Sequence, residues 1–263
     1  MDRCAIIATH HKTGTKWMNL TFTSICRALD IRYVNLRRSG LPSRSEIQPP
    51  IVLFEWHANF GKAKWLVDNP EHRLLHLIRD PRDVIISAMH YHRNSREKWL
   101  HVPREKFGGM TYQQMLNSLP DDHARYRFEM MNSSGNVIRS IEKWDYARPN
   151  VFECKYEDLI VDTDMKLFSA IVTHLGFSGS ETETCRKQFW RMSIFGKGGD
   201  RKGNTRHVRS GSSRQWSGVF DRTLAADFVQ EFDGVLIKLG YESDDSWLSR
   251  CPETIPLPQP QSA

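Results

Sequence analysis

The chain has 263 residues, of which 39% are hydrophobic and 11% aromatic, enough to fill the core of one large domain or two small ones. Its 26% charged residues, 16 Gly and 12 Pro, without tandem repeats, exclude disordered, collagen-like and solenoid chains. A net charge of +6, from 37 Lys and Arg against 31 Asp and Glu, favours anionic partners without pointing to nucleic acid.

The run Ala5–Thr9, a polar turn holding Gly14, and then Trp17, Leu20, Thr21, Ser24 and Ala28 at helical spacing predict strand, loop, helix. A second such unit runs from Ile51–Phe54 into a helix over 58–68. A third runs from Leu74–Ile78 into a helix over Pro81–Tyr91, with Pro81 suited to the first turn. Residues 92–131 are polar, with turn signals at Gly108-Gly109 and Leu119-Pro120, and read as a helical insertion. Val151–Lys155 predicts a fourth strand, and Asp162-Thr163 caps a helix through Met165, Phe168, Ile171, Val172 and Leu175. Residues 193–218 are rich in glycine and basic side chains and predict a long functional loop. A last helix over Leu224–Leu239 carries Phe228, Phe232, Val235 and Leu239 on one face, and a loose tail fills 251–263.

Strands alternating with helices predict the α/β class: a doubly wound, mostly parallel sheet flanked by helices, in a single domain over 1–263 with one helical insertion. The longest apolar runs fall far short of the roughly 18 residues of a membrane span. The segment Met1–Ala8 is too brief for a signal sequence, so a cytoplasmic protein is expected. Cys4, Cys26, Cys154, Cys185 and Cys251 are scattered, without a CxxC pair, and read as free buried thiols.

The segment Thr9-His10-His11-Lys12-Thr13-Gly14-Thr15-Lys16-Trp17 joins the first strand to the first helix. In a doubly wound sheet that junction lies at the carboxyl ends of the strands, where it aims backbone N–H groups and a positive helix terminus at an anion. It is not a Walker A loop, because the first glycine of G-x-x-x-x-G-K-S/T, five residues before Gly14, would fall at Thr9. Arg79-Asp80-Pro81-Arg82-Asp83-Val84 follows the third strand, with Ser87 eight residues after Arg79. That pair could grip a second phosphate from two directions; alternatively Arg79 makes a helix-start salt bridge with Asp80 or Asp83. Further on, Arg209-Ser210-Gly211 precedes Trp216 in a basic loop suited to close over the same ligand.

In this order the three signals resemble the sulfotransferases that use 3′-phosphoadenosine-5′-phosphosulfate (PAPS). Thr9–Trp17 matches the loop T-x-P-K-S/T-G-T-S/T-W of that family, and Arg79–Ser87 matches R-x-P-R/K-D-V-x-x-S. Arg209, Gly211, Gln215 and Trp216 match part of R-K-G-x-x-G-D/Q-W. His57, 22 residues ahead of Arg79 and just after Ile51–Glu55, stands where the family places its catalytic histidine. The resemblance spans residues 5 to about 240. It implies a fold like that of the P-loop nucleotide kinases and transfer of a sulfuryl group from PAPS to a hydroxyl or amine of a small-molecule acceptor, leaving adenosine 3′,5′-bisphosphate (PAP), without a metal.

The resemblance also implies residue roles. His57 would be the general base, Lys12 would neutralise the leaving phosphate, and the backbone of Thr13, Gly14, Thr15, Lys16 and Trp17 would hold its oxygens. Arg79 and Ser87, with Arg209, Ser210 and Gly211, would surround the 3′-phosphate. Trp17 and Tyr156 would lie near the adenine, although each also reads as a core residue. The chain departs from the pattern at His11, where proline is usual, and at Lys16, where a hydroxyl residue is usual. Further departures are Glu55, where the animal cytosolic enzymes have lysine, and Ser210 and Arg214 in the late motif. Arg201-Lys202-Gly203 spells R-K-G but has Val208, not Trp, seven residues after Arg201.

The acceptor site is expected from residues 36–50, 91–131 and 193–209, whose mixed polar and aromatic character names no acceptor. A homodimer is left open. Two rival readings stay open on sequence: a P-loop-type kinase needing Mg²⁺ and a carboxylate to hold it, and an idle anion-binding module using the basic loop over 193–214.

Overall fold

The computed structural model describes residues 1, 3–196 and 213–254, so the Arg209–Gly211 and Arg201–Gly203 motifs lie outside the described residues. The chain forms two compact units, Met1–Arg79 with Lys143–Ser213, and Asp80–Glu142 with Arg214–Ala263. The first unit opens with β1 (Cys4–Thr9), α1 (Thr15–Ala28), β2 (Arg32–Asn35), α2 (Leu36–Ser39), β3 (Ile51–Glu55), α3 (Lys64–Asp68) and β4 (Arg73–Ile78). The second unit opens with α4 (Pro81–His92), α5 (Tyr112–Ser118), α6 (Asp122–Met131) and α7 (Ser133–Glu142). The chain returns to the first unit with β5 (Val151–Lys155), α8 (Tyr156–Leu159), α9 (Lys166–His174) and α10 (Ser180–Met192), and ends in the second with α11 (Arg222–Glu231) and α12 (Val235–Lys238).

The five strands of the first unit form one parallel sheet in the order β2-β3-β1-β4-β5. Strand periodicity sends alternate side chains to opposite faces, and both faces are covered, which explains why β1, β3 and β4 are largely apolar, with His76 the exception inside β4. Ala5, Ile7, Val52, Phe54, Leu75 and Leu77 pack with Met18 and Phe22 of α1, Phe168 of α9 and Phe189 of α10. Cys4, Ile6, Ala8, Leu53 and Leu74 pack with Leu66 and Val67 of α3 and with Trp144. The first core centres on Phe168 and Phe189, stacked 3.9 Å apart and fully buried.

In the second unit α4, α6 and α7 pack together through Val84, Ile85, Met89, Met130, Ile138 and Ile141. Helical structure beyond α4 therefore runs to Glu142, past the insertion boundary of 131 read from the sequence. The expected last helix is two: α11 stops at Glu231, and Gly234 at φ +67 lets the chain turn before α12. The expected helix over 58–68 is shorter, a 3₁₀ turn at Gly61–Ala63 leading into α3. β2 has no counterpart in the expected elements, because four residues with only Val34 and Asn35 buried make little pattern. The N-cap of α9 is Met165 and not the expected Asp162-Thr163, but the Asp162 carboxylate still accepts from the first turn, from the backbone N–H of Leu167 at 3.1 Å and of Phe168 at 2.8 Å. All five cysteines are free and buried, and among the described residues no helix is long and apolar enough to cross a membrane.

Phe168→Ala removes one half of the buried stack. It is expected to lower the unfolding free energy by about 3–5 kcal/mol, measured as a reduced urea midpoint at unchanged slope.

Candidate cofactor and active site

β1 lies between β3 and β4, so the chain crosses to opposite sides of β1 before and after β3. At such a reversal the loops leaving the carboxyl ends of neighbouring strands diverge and open a crevice. Three candidate segments start there: Thr9–Trp17 after β1, Trp56-His57 after β3 and Arg79 after β4.

The loop after β1 is tied from inside by one atom. The His10 carbonyl oxygen accepts from the backbone N–H of Thr13 at 3.1 Å, the Thr13 hydroxyl at 2.8 Å and the Thr15 hydroxyl at 2.6 Å. The His10 N–H donates back to the Thr13 hydroxyl at 2.9 Å. The hydroxyls of Thr13 and Thr15 and the Thr13 N–H are thus committed within the loop. The rest of the cradle is the start of α1: Gly14 is its N-cap, no side chain caps it, and no acidic residue stands in its first turn. An uncapped first turn presents N–H groups and a partial positive charge outward. Lys16 lies in that turn, its pKa lowered by partial burial.

Backbone conformation fixes the direction of the cradle. Lys12 sits at φ +69 and Gly14 at φ +99. A Cβ on Gly14 would approach the Tyr156 ring to 3.0 Å, so this position requires glycine twice over, by torsion and by contact. Arg79 donates from Nη1 to the Lys12 carbonyl at 3.3 Å, lies 4.6 Å from the Tyr156 ring centre, and has Glu157 4.0 Å from its Nε. Tyr156 in turn meets Trp17 edge-on at 6.2 Å. Lys12, Gly14, Trp17, Arg79 and Tyr156 therefore converge. Trp17 packs against the core: its ring stacks on Phe189 at 5.2 Å, while its Nε1 is buried without a hydrogen-bond partner among the described residues.

His57 is exposed, in a turn braced from both sides. Its N–H donates to the Glu55 carboxylate at 3.0 Å, and the Trp56 indole donates to Asn35 of β2 at 3.0 Å. Burial raises the Glu55 pKa. The His57 charge reaches the buried His10, whose pKa is pushed well below its usual value first by burial, then by His76 and His57.

In the second unit the other half of the Arg79–Ser87 motif begins. Asp80 caps α4, accepting from the N–H of Arg82 at 2.9 Å, and Pro81 follows it. Arg82, 1% exposed, donates to both Asp80 oxygens at 3.0 and 2.7 Å and reaches Glu242 at 2.8 Å. Its guanidinium lies 3.6 Å from the Trp216 ring and 4.7 Å from that of Trp247. Asp83 accepts from the backbone N–H of Trp216 at 3.0 Å, which anchors the end of the late loop to α4. Ser87 is half-buried on α4. The expected Arg209, Ser210 and Gly211 lie outside the described residues, whereas Gln215 and Trp216 form a short 3₁₀ turn. Sequence reasoning missed His76, Glu153, Glu242 and Trp247; only a titratable residue inside an apolar strand pattern, as at His76 and Glu153, could have flagged any of them.

The fold and loop define a parallel α/β protein whose glycine-bearing loop and uncapped helix start lie at its topological switch point. A sulfotransferase-domain model matches residues 2–240. The chain belongs to the sulfotransferase family, whose sulfuryl donor is PAPS. Among solved structures, mouse sulfotransferase SULT7A1 complexed with PAP aligns with a TM-score of 0.56 at 18% identity, over 92% of this chain and 89% of that one. Retinol dehydratase in complex with androsterone and inactive cofactor PAP aligns at 0.46 and 17% identity, over 89% of this chain and 80% of that one. No curated protein matches at the sequence level.

Arg82→Ala leaves the Asp80 and Glu242 carboxylates without their shared cation. A loss of about 3–5 kcal/mol of stability is expected, and Arg82→Lys, which keeps charge but loses the fork, should recover only part of it in the same denaturation assay.

Proposed function

We propose that the chain transfers a sulfuryl group from PAPS to a hydroxyl or amine of a small-molecule acceptor. The observation that carries this reading is the uncapped start of α1 behind a loop tied to His10, with Arg79 bonded to the Lys12 carbonyl beside it. The residues fit the donor. A glycine-only approach at Gly14, open N–H groups at the helix start, and a buried indole N–H at Trp17 form a cradle suited to a phosphate next to an aromatic base. PAPS supplies a sulfuryl group already activated by its phosphate leaving group.

The protein must then neutralise charge, orient the acceptor and take a proton. Lys12, in the loop, would set its ammonium against the phosphate, while the N–H groups of Gly14, Thr15, Lys16 and Trp17 hold its oxygens. Thr13 supports this through the loop interior instead, because its own N–H is bonded to His10. His57, neutral near pH 7 when unperturbed, would accept the proton of the acceptor hydroxyl. The motif match assigns Arg79, Ser87, Arg209, Ser210 and Gly211 to the 3′-phosphate, and Tyr156 with Trp17 to the adenine. The acceptor follows from none of these contacts.

Calorimetric titration is expected to show tight binding of PAP and weak binding of ATP; the reverse preference would favour a kinase. Lys12→Ala and His57→Ala should each abolish most sulfuryl transfer, with His57→Ala sparing PAP affinity. Retained turnover of a weakly acidic hydroxyl by His57→Ala would remove His57 from the reaction.

Arg79→Ala deletes a charge-assisted contact worth about 1.5–3 kcal/mol. PAP should therefore bind roughly ten- to a hundredfold more weakly, while adenosine 5′-monophosphate, which lacks the 3′-phosphate, is little affected. Equal weakening of both nucleotides would show that Arg79 serves the loop and not the 3′-phosphate.

A further inference from the structure

The first unit holds a chain of titratable side chains that the transfer reading leaves unused. Nε2 of His10, at the root of the cradle, lies 2.8 Å from Nε2 of His76 in β4. Nδ1 of His76 lies 2.6 Å from Oε2 of Glu153, its register partner in β5. The other Glu153 oxygen accepts from the Trp144 indole at 2.8 Å, and the Trp144 ring stacks on His76 at 4.1 Å. His10 is 1% exposed and His76 not at all, and the Glu153 side chain retains 29%.

Two imidazoles that meet nitrogen to nitrogen need a single hydrogen between them, so their tautomers are coupled. With Glu153 ionised, His76 donates to it from Nδ1 and has only a lone pair at Nε2. His10 must then donate from Nε2, which leaves its own Nδ1 bare. With Glu153 protonated, every bond in the chain reverses, and His10 carries its hydrogen on Nδ1. Burial favours the neutral form of each member: it lowers the pKa of both imidazoles and raises that of Glu153 to about 7.

We propose that His10, His76 and Glu153 form a proton relay, in which a proton taken up at Nδ1 of His10 emerges on Glu153. The balance closes on three transfers. One proton arrives at His10 Nδ1, the proton on His10 Nε2 passes to His76 Nε2, and the proton on His76 Nδ1 passes to Glu153 Oε2. Each ring begins and ends neutral with one N–H, and the net change is the loss of one carboxylate charge. Glu153 is thereby a positioning residue that sets which face of His10 donates.

Several groups face this chain. His57 faces its near end, and its charge adds to the lowering of His10. Tyr146 faces its far end, with its ring 5.9 Å from that of His76 and its pKa raised by burial and then by Glu153. Cys154, next to Glu153 in β5, points to the opposite face of the sheet, and its buried thiol is raised by burial and by the carboxylates of Asp158, Asp162, Glu157 and Glu153.

The test reads the imidazole nitrogens directly, without substrate. Long-range ¹H–¹⁵N NMR of the full chain at about pH 5.5 and about pH 8.5, on either side of the unperturbed histidine value, should show the His10 hydrogen on Nδ1 at the lower pH and on Nε2 at the higher. In Glu153→Gln the amide accepts from Trp144 and donates to His76, so His10 should keep its hydrogen on Nδ1 at both pH values. One unchanging His10 tautomer in the wild type, an imidazolium at either ring in this window, or a variant that switches like the wild type would each overturn the relay. The wild-type titration decides the matter even if the variant folds poorly.

A second reading comes from stability. Because the folded pKa of Glu153 is raised, its protonated form stabilises the fold below the ordinary carboxylate range, and that stability is lost as pH rises through about 7. Urea unfolding of the wild type relative to Glu153→Gln should therefore weaken progressively with rising pH. Parallel pH dependence of the two proteins would show that the proton does not end on Glu153.

Discussion

One carbonyl oxygen sets the geometry of the cradle. By accepting from the Thr13 N–H and from the hydroxyls of Thr13 and Thr15, the His10 carbonyl folds the chain after β1 back on itself within a single turn. A peptide that turns this sharply needs backbone outside the usual regions, and Lys12 and Gly14 supply it at φ +69 and +99. The donors spent on His10 are unavailable to a ligand. No side chain caps the first turn of α1, so the bonds that close the loop leave the N–H groups of that turn outside their set. Arg79 extends the constraint by fastening the Lys12 carbonyl to the end of β4.

The sheet places this loop where it matters. Because β1 is flanked by β3 and β4, the chain after each of the three strands opens toward one crevice, and His57 and Arg79 begin beside the cradle without any long-range sequence signal. Burial on both faces makes the interior strands almost wholly apolar, and the exceptions are informative. His76 and Glu153 stand at paired positions of β4 and β5, where His76 is fully buried and Glu153 partly, because Glu153 accepts from His76 and from Trp144. That local satisfaction is what turns two costly polar residues into one end of a chain that reaches His10.

The two arginines of the R-x-P-R/K-D motif diverge in the physics of their settings. Arg79 belongs to the cradle, with a carbonyl, an aromatic face and a distant carboxylate around it. Arg82 is wholly enclosed in the second unit between two carboxylates and two indoles, an arrangement that uses the flat guanidinium on its edges and its faces at once. Together with the bond from Trp216 to Asp83, it ties the end of the late loop to the start of α4. A motif that reads as a ligand site is thus, for half its length, an anchor.

The sequence by itself determined the α/β class, four of the five strands and the family. Those signals are local: apolar runs of fixed period, a glycine at a turn, a proline at a helix start. It could not determine β2, whose four residues bury too little to make a pattern, nor the break between α11 and α12, where the apolar spacing continues across a turn that only Gly234 reveals. The tertiary structure alone decided that the Thr13 and Thr15 hydroxyls face inward, that Arg82 meets Glu242 and Trp247, and that His10 meets His76 and Glu153. In the last two cases the partners lie 66 to 165 residues apart or are matched by strand register, and a contact depends on a distance of a few ångströms, about 3 Å for a hydrogen bond, that no spacing along the chain encodes.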